Sequence, residues 1–237
     1  MEGVGLHTGK KCRLTLKPAP PGTGIIFFRT DIGEEIPASI DLVQGVTRGT
    51  TIGTGEKTVH TVEHLLSAFS ALEIDNLRVE LSDAEPPIAD GSAREFVAMI
   101  DKAGFQEQEK EKVFYKPSHP IFYRSRDTEI IAFPDEELKI TCVVHYAHPI
   151  LGTQYFSLAV TPESFKKELA PARTFCFDYE VEHLLAHGLG KGGTLENAIV
   201  VGEKRIHNQT PLRFPDEFVR HKIMDLLGDI FLIGKAS

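Results

Sequence analysis

Two helical segments of this chain are apolar on one side and carry histidines and carboxylates on the other. Across residues 58–72, Val62, Leu65, Leu66, Phe69 and Leu72 recur at helical spacing and define a core-facing arc, with His60, Glu63, His64, Ser67 and Ala71 opposite. Across residues 215–233, Ile223, Leu226, Leu227, Ile230 and Phe231 share one arc and His221, Asp225, Gly228 and Asp229 the other. The simplest reading of such a polar arc is a face turned to water. Two details oppose it. Solvated faces are rich in Lys and Glu, whereas Ser67, Ala71 and Gly228 flank these histidines and leave room for a metal or substrate. Asp225 and Asp229 also repel one another at i,i+4 unless a cation or histidine lies nearby.

His221 and Asp225 stack on one helix face, and one histidine from the first helix could complete a three-ligand zinc site. Glu63 would then lie beside the ligand, placed to take the proton of a metal-bound water, which points to metal-assisted hydrolysis. A competing pattern is His60-x-x-Glu63-His64, the HxxEH order of inverted zinc peptidases, in which His60 and His64 are both ligands. His145 and His148 lack a carboxylate at ligand spacing, His119 precedes a proline in a loop, and His7, His183, His187 and His207 are isolated; all read as structural or surface groups.

The formal charge of −8 argues against a nucleic-acid partner but not against a phosphorylated small molecule, for which a few local lysines suffice. Cys12, Cys142 and Cys176 form neither a disulfide framework nor a CxxC knuckle, which points to a reducing, cytoplasmic setting. Neither a signal peptide nor a transmembrane run is recognisable.

Strands are expected at 12–16, 24–30, 76–81, 128–133 and 138–145. Helices are expected at 58–72, from a Ser92 cap to Lys102, at 162–169, at 178–186 and from Pro215 to Ile233, with Gly234 as the stop. The charged stretch 106–112 has no apolar face and reads as a linker between halves 1–105 and 113–237. Gly188 to Gly193 lacks the P-loop pattern and reads as a flexible connection that lines the substrate. Thr174 carries a hydroxyl suited to a developing oxyanion, although an ordinary strand position is the plainer reading.

Six separated motifs carry a resemblance: Glu2 to Gly9 (EGVGLHTG), Thr61 to His64 (TVEH), Asp90-Gly91-Ser92, Ala172 to Phe175 (ARTF), Gly188 to Gly193, and Arg220-His221-Lys222 with Asp225, Gly228 and Asp229. In this order they resemble the zinc-dependent UDP-3-O-acyl-N-acetylglucosamine deacetylases of lipid A biosynthesis. The resemblance implies an α+β fold of two similar β-α-α-β domains packed as a sandwich, with the active site between their helices. It implies Zn2+ on His64, His221 and Asp225, Glu63 as general base, Thr174 at the oxyanion, and Asp229 orienting a catalytic histidine. Lys222 and Phe175 would meet an acylated UDP-sugar. The family's catalytic histidine falls beyond Ser237, so the chain reads as a C-terminally shortened form. A zinc- or substrate-binding protein without turnover is the alternative.

Overall fold

Alternation of inward and outward side chains builds the first sheet. The computed structural model describes residues 1–234. After β1 (Glu2–Val4), β2 (Lys11–Pro18) turns Cys12 and Leu14 inward and Lys11 and Arg13 outward, and β3 (Ile25–Arg29) buries every second residue. β4 (Glu34–Pro37) follows, then a separate antiparallel sheet of β5 (Val43–Gly45), β6 (Thr51–Thr54) and β7 (Lys57–Val59). Helix α1 (Glu63–Ala71) leads to β8 (Leu77–Leu81), which inserts between β2 and β3 to give the order β1-β2-β8-β3-β4. Only the β3–β8 pairing in this sheet is parallel. Helix α2 (Arg94–Ala103) buries Phe96, Val97 and Ile100, and the Ser92 hydroxyl meets the Arg94 N–H at its start.

The second half carries its strands in pairs. β9 (Ile121–Ser125) and β10 (Thr128–Ala132) form a hairpin, and β11 (Lys139–His145) pairs antiparallel with β12 (Thr153–Ala159). α3 (Pro162–Ser164) runs into a π-type turn at Phe165–Leu169. β13 (Phe175–Phe177) precedes α4 (Asp178–Ala186), and β14 (Ile199–Val201) pairs parallel with β13. The last helix is α5 (Glu217–Phe231), with Gly234 at φ +69° just beyond it. The chain is therefore α+β. Residues 106–112 carry no helix or strand, and they are tied down: Gln108 donates to the Ala19 carbonyl and Lys112 pairs with Asp75. Residues 235–237, included in the expected second half, lie outside the described residues.

One main apolar core joins the halves. It takes Leu14, Phe27, Val79 and Leu81 from the sheet, Leu65, Leu66 and Phe69 from α1, Ile140 and Phe165 from the second half, and Ile223, Met224 and Leu227 from α5. A smaller cluster gathers Leu151, Phe177, Ile199, Val201 and Phe218. Two expectations need correction. The first helix does not start at Thr58: Thr58 and Val59 belong to β7, and Thr61 has φ +53°, which no helix accommodates. His60 thus precedes the helix instead of lying on it. Strands β1, β4 to β7, β9 and β12 to β14 went unread; all but β9 and β12 are too brief for alternation to register.

The small residues on the polar arcs serve contact and not vacancy. Both arcs face each other where α1 packs on α5. A Cβ added at Gly228 would lie 2.0 Å from the Glu63 carbonyl oxygen and 2.9 Å from its Cα, so glycine lets the two backbones touch. Ser67 is fully buried and its hydroxyl donates to the His64 carbonyl (2.7 Å). Gly228→Ala would gain ~1 kcal/mol of helix propensity on an isolated helix, but overpacking of this kind costs roughly 1–3 kcal/mol or more. Because the clash is with backbone, a net loss of at least ~1 kcal/mol in urea denaturation is expected. A variant more stable than the parent would contradict this helix spacing.

Candidate metal centre

α1 and α5 bring three ligand atoms together. One each from His64, on the first turn of α1, and from His221 and Asp225, one turn apart on α5, all lie within 4.8 Å of one another. Asp225 Oδ1 is 3.5 Å from His64 Nε2 and 3.3 Å from His221 Nε2. Zinc bonds of ~2.0–2.1 Å at tetrahedral angles place neighbouring donors about 3.4 Å apart, so this spacing fits. The Nδ1–H of His221 donates to the Ala172 carbonyl (3.1 Å), which leaves Nε2 as a lone pair aimed at the centre.

The protonation states of His221 and Asp225 match a ligand set. Burial pushes His221 down to about 4, so its imidazole is neutral at pH 7. Asp225 is opposed by burial, yet His221, Lys222 and His64 hold its carboxyl well below the usual range. Burial also works against a charged His64, but its contacts with Asp225 and Glu63 raise it above its ordinary value. Asp225 Oδ1 and His64 Nδ1 are buried with no hydrogen-bond partner among the described residues. An orphaned carboxylate oxygen between two imidazole nitrogens is what a cation would satisfy.

Around this centre, Lys222 Nζ donates to Asp225 Oδ2 (3.0 Å) and lies 5.7 Å from the Phe175 ring centroid. Phe175 stands edge-on to His221, with centroids 6.3 Å apart. Thr174, half-buried, is held by donation of its N–H to the Gly91 carbonyl (2.8 Å). Glu63 is buried, and its Oε2 accepts from the Thr50 N–H (2.9 Å). Burial pushes its carboxyl up to about 7, with Asp225 adding to the shift and His64 opposing it. Asp229 Oδ1 accepts from the Thr50 hydroxyl (2.6 Å), and burial raises it above the ordinary carboxylate range. Thr50 therefore bridges the two acids. It lies in a loop with no periodic signal, and the sequence alone did not single it out. His183 packs against His187 on the exposed side of α4, with centroids 4.1 Å apart, in keeping with a surface role.

His60 is outside the donor group. Its ring nitrogens lie 3.0 Å from the Thr51 hydroxyl and 3.4 Å from that of Thr58. The HxxEH reading assumed that His60 sits one turn ahead of His64, and the residue lies before the helix instead. The glycine-rich segment is likewise not a loose connection. Gly192 N donates to the Leu6 carbonyl (3.0 Å) and Gly190 N to His7 Nδ1 (3.2 Å). A cavity of about 240 Å³ lies beside it, lined by His7, Thr8, Lys10, His60, Gly188, Leu189 and Lys191.

Two imidazoles and one carboxylate could hold a metal ion, and a buried acid adjoins them in the chain, the residue types that metal-assisted hydrolysis uses. The chain matches the family of UDP-3-O-acyl N-acetylglycosamine deacetylases (LpxC) over residues 1–237, and it belongs to that family. It is 46% identical over 235 residues to the UDP-3-O-acyl-N-acetylglucosamine deacetylase of Chlamydia felis, covering 98% of this chain and 84% of that protein. The same coverage and identity hold for the deacetylase of Chlamydia caviae. That of Chlamydia trachomatis serovar L2 is 45% identical over 234 residues, covering 98% and 82%.

Glu63 gives a pH signature in the metal-free protein. Its folded value, about 7, lies above the ordinary 4.5, so through that window the fold keeps a proton the unfolded chain gives up. Stability present below 4.5 is lost as pH rises through about 7. Glu63→Gln keeps the acceptor for Thr50 and removes the titration. Its stability relative to the parent should rise across this window by on the order of 1–3 kcal/mol, read from urea unfolding at stepped pH. A difference independent of pH would contradict the assignment.

Proposed function

We propose that this chain hydrolyses the acetamide of UDP-3-O-acyl-N-acetylglucosamine in the cytoplasm, releasing acetate and the free 2-amino sugar nucleotide in lipid A biosynthesis. The observation that carries this reading is the convergence of His64 Nε2, His221 Nε2 and Asp225 Oδ1 beside the buried carboxyl of Glu63. Family membership supplies the substrate class. Three free cysteines support the reducing compartment. In this reading residues 1–105 and 113–237 act as two domains joined at 106–112, and the helices between them carry the chemistry.

His64, His221 and Asp225 would hold Zn2+. Bound there, the ion supplies Lewis-acid polarisation of the carbonyl and lowers the pKa of water towards ~7. Glu63 takes the proton of the attacking water. A carboxyl near 7 also serves to return that proton to the leaving nitrogen, which departs as the amine. The Thr174 hydroxyl donates to the oxyanion that develops as the acetamide carbonyl is attacked. Asp229, joined to Glu63 through Thr50, fixes the acid side of the site. Lys222 offers its ammonium to an anionic sugar nucleotide, and Phe175 offers an apolar face to the acyl-sugar.

Single alanine variants of His64, His221 and Asp225 should each hold less than one equivalent of zinc by metal analysis. Full occupancy in all three would remove the ligand assignment. Glu63→Gln should keep its zinc and lose ~10²–10⁴-fold in deacetylation of the UDP-sugar, the usual contribution of general-base catalysis. A zinc-loaded variant as fast as the parent would overturn the role of Glu63.

A further inference from the structure

Arg173 and Glu217 form an ion pair shut off from water, with side chains 4% and 0% exposed. Glu217 opens α5, one turn before His221. Arg173 lies between Ala172, whose carbonyl accepts from His221 Nδ1, and Thr174. Glu217 Oε1 accepts from Arg173 N (3.0 Å) and Nε (2.8 Å), while Oε2 accepts from Arg173 Nη2 (3.1 Å) and from Arg213 N (2.6 Å). The Thr210 hydroxyl (3.0 Å) and Pro211 carbonyl (2.9 Å) complete the guanidinium shell.

A second tie starts from the same hub. Arg213 reaches Asp90 Oδ2 (2.8 Å) and the Pro171 carbonyl (2.7 Å). The next residue after Asp90, Gly91, accepts from Thr174 N through its carbonyl (2.8 Å). A Cβ at Gly91 would lie 1.9 Å from the Asn197 carbonyl oxygen, so the turn packs against backbone with no room for a side chain. The 171–174 segment is thus gripped by α5 on one side and by the Asp90-Gly91 turn on the other.

Stability alone is a poor reason for such a pair. Two full charges are costly to desolvate, and apolar replacements of equal volume often fold as well or better. The pair does fix one thing apolar groups would not: the register of the Ala172 carbonyl against the α5 turn that carries His221. We propose that Arg173–Glu217 is a positioning clamp, which sets the His221 imidazole for metal binding and holds Thr174 in the same frame. This rests on the reading of His64, His221 and Asp225 as a metal site.

The test compares the full chain with Glu217→Gln and with the neutral double variant Arg173→Met/Glu217→Gln, which leaves no unpaired buried charge. Zn2+ affinity by chelator competition, the visible spectrum of the Co2+ form and the thermal midpoint are measured on each. Metal affinity should fall roughly 10–100-fold, the usual effect of losing a group that orients a ligand, with a changed Co2+ spectrum in folded protein. Affinity within twofold of the parent, with only a lowered midpoint, would reduce the pair to a structural bridge and overturn the proposal. A double variant that does not fold would overturn it too, since the pair would then be a folding element. A parent that binds no zinc would overturn the metal-site reading itself, and the clamp with it. A binding parent with unaffected variants removes the clamp alone.

Discussion

The close contact of α1 with α5 is the constraint on which the site depends. Gly228 removes a side chain where Glu63 presents its backbone, and that missing Cβ sets how near the two helices approach. His64 sits one residue after Glu63 and Asp225 three residues before Gly228, so the same contact decides the distance between the donors. The apolar arcs supply the force: Leu65, Leu66 and Phe69 on one helix and Ile223, Met224 and Leu227 on the other enter a shared core. The polar arcs are then driven together away from water, where they must satisfy one another.

That satisfaction is incomplete in a telling way. Most buried polar groups here have partners: Glu63 and Asp229 through Thr50, His221 through Ala172, Arg173 through Glu217. Among the described residues the exceptions are Asp225 Oδ1, a donor of the cluster, and His64 Nδ1, the ring nitrogen opposite the donor Nε2. Burying a carboxylate whose oxygen has no hydrogen bond costs several kcal/mol, and a fold that otherwise meets its polar requirements tolerates it where a cation supplies the missing partner. The neutral His221 and ionised Asp225 are the forms a divalent metal needs.

How much of this was legible in the sequence depends on range. His221 and Asp225 are four residues apart, and helix periodicity alone stacks them. Glu63 was legible because it adjoins His64. The positions of α4 and α5 came from periodicity and punctuation, and the α+β class from the resemblance. The pairing of the two helices came from the resemblance, since no wheel shows which polar faces meet. Gly228 was read as space when it means contact, because composition cannot distinguish a gap from a close approach. His60 was assigned to a helix because the 3.6-residue pattern carries no record of the positive φ at Thr61. Thr50, Glu217 and Arg213 act across 13 to 179, 44 and 123 residues respectively, beyond any local pattern.

The central claim is that this helix contact assembles one two-histidine, one-carboxylate metal site. X-ray absorption at the zinc edge, on the purified chain loaded with one equivalent, tests it most directly. The account predicts a first shell of nitrogen and oxygen near ~2.0–2.2 Å, with outer-shell scattering from two imidazoles and no sulfur. Cys12, Cys142 and Cys176 are all free, so misplaced zinc has thiols to find. A sulfur shell near ~2.3 Å, or scattering from fewer than two imidazoles, would contradict the account.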